Sequence, residues 1–309
     1  MDCGKNARTV PVEPPAARKG AMAAVKNDDA VAGFRYQQLT DVQFQKFSSL
    51  VYEKTGIYLK PEKKELLNAR LGKRLRSTGI KSFQQYYDYV MNDASGEELV
   101  QLIDSVSTNF TSFFRESAHF DILSRTVLPA FLGEGKRKNK ELLFWSSACS
   151  SGEEPYTMAM VVEDFARVHP GLRYRIMATD ISTKVLALAR KGVYGEDRIA
   201  KVPGPFLKKY FQKGVGDAAG YVRIKEEIRR MVHFDRFNLM GEFPWRDAID
   251  VIFCRNVMIY FNRETQQGLV NKFHQALAPG GYLFIGHSES ITGLRHAFVQ
   301  VDATAYQKR

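Results

Sequence analysis

From Leu142 to Ile285, short apolar runs alternate with amphipathic stretches of helical period, and that alternation restricts the fold more than any other feature of the chain. Strands are expected at Leu142–Ser146, Tyr174–Ala178, Val251–Cys254 and Tyr282–Ile285. Helices are expected from about Pro155 to Val168, Ser182 to Arg190 and Arg263 to Leu277. Strands alternating with helices imply a parallel sheet with helices on both faces. Phe298–Val301 and Thr304–Gln307 can add a terminal hairpin. The interval from about 192 to 235 breaks the rhythm. There the Gly-rich turn Gly214 to Gly220 separates Tyr210-Phe211 from Tyr221-Val222-Arg223-Ile224, and a further short strand is expected at Val232–Phe234. This reads as a small antiparallel insertion.

The preceding residues read differently. Residues 1 to about 33 are rich in Ala, Pro, Lys and Asp, lack any period, and are expected to form a disordered tail. Residues 34 to about 125 are expected to form a helical bundle. Thr40 to Gln43 is a capping-box pattern followed by Phe44, Phe47 and Val51, and Gly56 is a stop signal. After Pro61, Leu67, Leu71 and Leu75 form one apolar stripe that ends at Gly79. Ser82 to Gln85 and Ser95 to Glu98 repeat the capping-box pattern. The lysine-rich loop Gly133 to Lys140 leads to the α/β pattern, so the second unit is taken as 126–309.

A chain of 309 residues has room for both units. Its three cysteines, Cys3, Cys149 and Cys254, are scattered, which argues for a reducing, cytoplasmic setting. No apolar run approaches the roughly 20 residues of a membrane span, and the amino terminus lacks the apolar core of a secretory signal. No HExxH pattern or His/Cys cluster suggests a metal. The net charge of +11 favours a polyanionic partner without saying which.

Ligands of parallel α/β sheets bind at the carboxyl ends of strands. Three such ends break into polar residues here. The first, Ala148-Cys149-Ser150-Ser151-Gly152-Glu153-Glu154-Pro155, has small residues that let a ligand approach, but neither Gly-x-Gly-x-x-Gly nor a Gly-Lys-Ser/Thr ending. Glu153 would repel a phosphate and attract a cation. The second ends at Asp180, placed to accept hydrogen bonds from ribose hydroxyls, although Asp180-Ile181-Ser182 also suits a helix cap. The third is Cys254-Arg255-Asn256-Val257-Met258-Ile259-Tyr260-Phe261.

With Thr108-Asn109-Phe110-Thr111-Ser112-Phe113-Phe114-Arg115-Glu116 and Gly286-His287-Ser288-Glu289, these strings closely resemble the CheR-type chemotaxis receptor glutamate methyltransferases, in order and from about Phe34 to the carboxyl terminus. The resemblance implies a class I methyltransferase (Rossmann-like) α/β sheet with a small antiparallel β-subdomain, preceded by an all-helical domain. It implies S-adenosylmethionine as cosubstrate, S-adenosylhomocysteine as product and no metal. Asn109, Thr111 and Arg115 would line the cosubstrate pocket. Glu153 would hold the methionyl part and Asp180 the ribose. Asn238 and Leu239 would flank adenine, and Arg255, Asn256 and Tyr260 would close the site near the sulfonium.

A glutamate side chain, with an unperturbed pKa of about 4.3, is already ionised at neutral pH, so the reaction needs alignment rather than a base. Arg115 is the candidate to grip that carboxylate and Tyr260 to fix its approach; an ion pair of Arg115 with Glu116 or Asp104 is the competing reading. Cys149, Cys254 and His287 are read as packing or pocket-lining residues. The basic second helix, with Arg70, Lys73, Arg74 and Arg76, would face the acidic cytoplasmic helices of a chemotaxis receptor. Arg223, on the insertion, is a candidate for holding a receptor's carboxyl-terminal pentapeptide as an added strand. Nucleic acid as acceptor is disfavoured because the Asn/Asp-Pro-Pro-Tyr/Phe motif is absent, and membrane insertion is not expected. A non-catalytic sensor of the same ligand is the third reading.

Overall fold

The computed structural model describes residues 38–133 and 141–309. The expected tail and nearly all of the lysine-rich loop lie outside them. Helix α1 (Asp41–Thr55) begins at the capping box: Gln43 N donates to the Thr40 hydroxyl, and the Gln43 side chain accepts from Thr40 N. Gly56 ends it in the left-handed conformation at φ 73°. A Cβ there would meet only the flexible Met240 side chain, so it is the left-handed turn geometry that calls for glycine. Helices α2 (Lys64–Thr78), α3 (Phe83–Asn92) and α4 (Glu97–Val106) complete the bundle, whose core includes Phe47, Leu71, Leu75, Tyr86 and Leu102.

Ser82 caps α3 as expected, but the Ser95–Glu98 pattern is not a capping box. Asp93 instead accepts the Ser95 and Glu98 N–H groups. The Glu98 carboxylate turns inward, where Arg74 grips it in a fork (2.7 and 2.7 Å) and the Tyr86 hydroxyl donates to it (2.8 Å). Arg74→Ala would leave this buried carboxylate without its cation. The expected result is a loss of roughly 3 kcal/mol of stability, read as a lower midpoint in thermal unfolding.

The bundle's core ends at Val106. Helices α5 (Ala118–Ile122) and α6 (Leu128–Gly133) flank one wide turn at Leu123–Val127. Although the helical pattern runs to about 125, Phe113, Phe120, Leu123 and Phe131 pack into the core of the sheet.

That sheet is built from β1 (Glu141–Ser146), β2 (Arg173–Asp180), β6 (Val232–Arg236), β7 (Ile249–Cys254), β8 (Leu277–Ile285), β9 (Phe298–Asp302) and β10 (Ala305–Lys308). Their order is β6-β2-β1-β7-β8-β10-β9, parallel except for β10 and β9. Helices α7 (Glu153–Val168) and α8 (Thr183–Lys191) cover one face and α11 (Arg263–Ala276) the other. Successive residues of β1 serve opposite faces, Phe144 packing with α7 and Trp145 with α11. Every residue of β7 is buried, as a strand covered on both faces requires.

The insertion is smaller than its sequence pattern suggests. A three-stranded sheet forms from β3 (Val193–Gly195), β4 (Phe211–Lys213) and β5 (Tyr221–Ile224) in the order β3-β5-β4, with α9 (Gly204–Tyr210) leading into β4. After α10 (Glu226–Arg229), the strand at Val232 joins the edge of the main sheet, parallel to β2, instead of the insertion. A short apolar run does not reveal which sheet it joins.

Candidate active site

Beside β1 the strand order reverses: the chain runs outward through β2 and β6, then returns to β7 on the other side. Such a reversal leaves a crevice at the strands' carboxyl ends. After β1, the turn through Ser150 (φ 47°) and Gly152 (φ 96°) is tied down by Ser147 N donating to Phe253 O (2.9 Å) and Cys149 N to Thr179 O (2.8 Å). A Cβ at Gly152 would lie 3.0 Å from the Tyr194 hydroxyl. Asp180 closes β2. One carboxylate oxygen accepts from Ser150 N (2.8 Å) and the other from Ser182 N (2.9 Å), leaving further acceptor capacity on each. Burial pushes this carboxyl up, while those N–H groups pull it back.

The helical bundle roofs the crevice. Ile57 bridges to Phe261, Tyr58 N donates to Tyr260 O (2.8 Å), Asn238 Nδ2 donates to Lys54 O (2.7 Å), and the Tyr52 hydroxyl accepts from Asn262 (2.8 Å). Between roof and sheet lies a cavity of ≈ 540 Å³. That is within the range of about 300–1,000 Å³ usual for small-ligand sites.

Asn109, Thr111, Arg115, Asp180, Asn238, Leu239, Arg255, Asn256 and Tyr260 all line this cavity. Glu153 does not. Its side chain is fully buried and held by Arg198 and by the Ser151 hydroxyl. The neighbouring Glu154 lines the cavity in its place. Two consecutive glutamates in the first turn of a helix point about 100° apart, and nothing in the string Gly152-Glu153-Glu154-Pro155 says which one faces the crevice.

Arg255 lines the cavity as a buried clamp, donating to Glu154 (3.0 Å), to Glu116 (3.1 Å) and to the Arg115 carbonyl. Burial pushes the Glu154 carboxyl up, with Arg255 pulling against it. Burial would raise Glu116 too, but Arg255 and the Asn256 amide (3.2 Å) hold it below its ordinary value. The positive charge is thus neutralised on two sides. Arg115 makes neither ion pair considered for it: Glu116 goes to Arg255, and Asp104 accepts from Thr183. Its guanidinium donates to the Phe110 carbonyl (2.9 Å), lies over the Phe110 ring, and has no carboxylate partner among the described residues.

Glu116, His119 and His287 bring possible metal-ligand atoms within 4.8 Å of one another, a grouping that no spacing in the sequence announces. Glu116 is already engaged by Arg255 and Asn256, and burial, with Arg255 next in weight, pushes His119 down to about 3, so its imidazole is neutral. Cys149 and Cys254 are buried, and burial raises both thiols well above their ordinary value, which suits packing.

The basic helix divides. Arg74 is committed to Glu98, and Arg70 turns to the cavity wall, donating to the Val106 carbonyl. Lys73 and Arg76 are exposed. Lys60 and Lys63 join Arg70 along the cavity, which sequence reasoning did not assign to it. Arg223 sits on β5, the central strand of the small sheet, with its Nε buried and without a hydrogen-bond partner.

Two family models match: "CheR methyltransferase, all-alpha domain" over residues 43–107, and "CheR methyltransferase, SAM binding domain" over residues 109–307. The chain is 41% identical over 273 residues to a chemotaxis protein methyltransferase of Borreliella burgdorferi, covering 87% of this chain and 95% of that one. It is 37% identical over 269 residues to the chemotaxis protein methyltransferase of Escherichia coli, covering 87% and 91%. To chemotaxis protein methyltransferase 2 of Pseudomonas aeruginosa it is 37% identical over 270 residues, covering 86% and 93%.

Proposed function

The chain belongs to the CheR methyltransferase family, and from that premise we propose that it methylates glutamate side chains of chemotaxis receptors, using S-adenosylmethionine and releasing S-adenosylhomocysteine. The observation that carries this reading is the make-up of one cavity. Asp180, Asn238 and Glu154 offer acceptors on its sheet side, while Lys60, Lys63, Arg70 and Arg115 supply cations. That distribution suits a cationic nucleoside donor below and an anionic acceptor above.

S-adenosylmethionine supplies an electrophilic methyl group on a sulfonium. Asp180 would take the ribose hydroxyls, Asn238 and Leu239 would flank the base, and Asn109, Thr111 and Glu154 would line the remainder. Glu154 is the better candidate for the methionyl part, since it lines the cavity whereas Glu153 is turned away toward Arg198. The acceptor glutamate needs no deprotonation. The residues' task is to exclude water and to align the carboxylate behind the methyl group, in a setting where union of opposite charges is strengthened by low polarity. Arg115, with no carboxylate of its own, is suited to grip the incoming one, and Tyr260 to limit its approach. Arg255 holds Glu154 and Glu116 apart rather than acting on either substrate.

The test is transfer of labelled methyl from S-adenosylmethionine to chemoreceptor-bearing membranes, followed by mild alkali. Carboxyl methylation releases the label as methanol; alkali-stable label would overturn the assignment. Arg115→Ala is expected to lower turnover roughly 100-fold or more with a melting temperature near that of the parent, because among the described residues its guanidinium holds the carbonyl and ring of exposed Phe110 and no carboxylate. Exposed Lys73 and Arg76 would steer the acidic receptor, so association should weaken as salt rises.

Tethering through the small sheet is a finer part of the proposal. Its edges, β3 and β4, flank the Arg223-bearing strand, and an acidic receptor pentapeptide could add to one of them. Calorimetry with that peptide at millimolar concentration tests this, and the absence of heat would exclude it.

No helix among the described residues is long and apolar enough to cross a membrane.

A further inference from the structure

The loop that carries Arg255, Asn256 and Tyr260 has no regular hydrogen bonding of its own beyond one 3-10 turn, Met258–Tyr260. Its first residue after the clamp, Asn256, sits at φ 58°, a conformation disfavoured without outside support. Four consecutive N–H groups, from Asn256 to Ile259, point the same way. All four fall on one buried side chain. Glu289 Oε1 accepts from Val257 (2.8 Å), Met258 (2.7 Å) and Ile259 (3.3 Å), and its Oε2 accepts from Asn256 (2.9 Å) and from Gly286 (2.6 Å). No basic side chain pairs with this carboxylate among the described residues; backbone dipoles alone balance it.

We infer that Glu289 is the positioning residue of the transfer site, an internal anion whose five backbone hydrogen bonds set the Arg255–Tyr260 loop against the cavity. The inference rests on the methyl transfer proposed above. Successive N–H groups at the start of a helical turn form a natural anion site. Left open beside a pocket whose acceptor is a carboxylate, this one would compete for it. Glu289 closes it from within. Because it reaches the loop from the turn after β8, it also fixes the distance between the ends of β7 and β8. Packing allows little latitude there: a Cβ on Gly286 would lie 2.6 Å from Asn256 Nδ2 and 2.9 Å from both Asn256 N and Glu289 Oε2.

Glu289→Gln preserves shape but turns an amide NH₂ toward N–H donors, and Gly286→Ala shifts the same loop without removing the charge. Neither residue lines the cavity, and Asp180, Asn238 and Leu239 are untouched. Both variants are therefore expected to bind S-adenosylhomocysteine within about threefold of the parent affinity. Their kcat, counted per S-adenosylhomocysteine-binding site and at a temperature well below melting, should fall roughly 100-fold, the cost of an ångström-scale misplacement. The KM for S-adenosylmethionine should change little. Full kcat per binding site in either folded variant overturns the inference, as does a loss that only follows the number of folded sites. Parent protein that labels no receptor refutes the proposed acceptor instead, so the two failures are distinct.

Discussion

Asp180→Ala should weaken binding of S-adenosylhomocysteine by roughly 100-fold or more, the largest effect on affinity expected from any one side chain of the crevice. Two hydrogen bonds from the ribose to a charged acceptor, at about 1.5–3 kcal/mol each, would be lost. Asp180 is also an anchor for the protein. Its two oxygens hold Ser150 N, in the turn after β1, and Ser182 N, at the start of α8. Alanine strands both donors, so the turn that receives the ligand should loosen and the melting temperature should fall by a few degrees as well. Asp180→Asn separates the two contributions. The amide keeps one acceptor, and most of the affinity should still be lost. Calorimetric titration and thermal melting on the same preparations provide the check, and an Asn variant with parental affinity would remove Asp180 from the ribose site.

Arg255→Met is expected to have the largest effect on stability. The guanidinium lies between Glu154 and Glu116, and all three side chains are largely buried. Removing the cation leaves two carboxylates facing one another, at a cost of about 3–5 kcal/mol. For a chain of this size that corresponds to a fall of roughly 10 °C in melting temperature. The pH dependence has a definite sign. The folded-state pKa of Glu154 is already raised, and loss of Arg255 raises it further. A carboxyl whose pKa rises on folding costs nothing below its unfolded value; its penalty grows as pH climbs from the unfolded to the folded value and is complete above it. The gap between variant and parent should therefore be widest at neutral pH and narrow on acidification. Adding Glu116→Gln and Glu154→Gln to Arg255→Met should recover much of the loss at neutral pH. A gap that widened in acid would show that charge burial is not the cause.

Much of the scaffold was legible because its determinants are local. The capping box at Thr40, the stops at Gly56 and Gly79, and the strand ends at Ser146, Asp180 and Cys254 each depend on a few adjacent residues. What escaped depends on partners far away in the chain. Glu98 has the spacing of a cap but is drawn into the bundle by Arg74 and Tyr86. Val232–Phe234 has the length of a hairpin strand but finds its register on Ile176–Ala178. Nine of the residues expected at the cavity do line it, since strand termini converge wherever a parallel sheet reverses order. Which of Glu153 and Glu154 faces the cavity was not legible, because that difference lies in Arg198 and Arg255, 45 and 101 residues away.

The attachment of the small sheet bears on any attempt to build a minimal catalyst from this chain. The segment between α8 and β6 looks removable, an excursion between two parts of one fold. Yet Tyr194 donates its hydroxyl to the Ser151 carbonyl (2.8 Å), and Arg198 is the cation that accompanies Glu153. Excising the excursion would leave a carboxylate sealed in the interior at the foot of α7 and unlatch the turn above it. A trimmed enzyme would thus need a neutral residue at position 153 before it could be expected to fold, which makes this appendage part of the chassis.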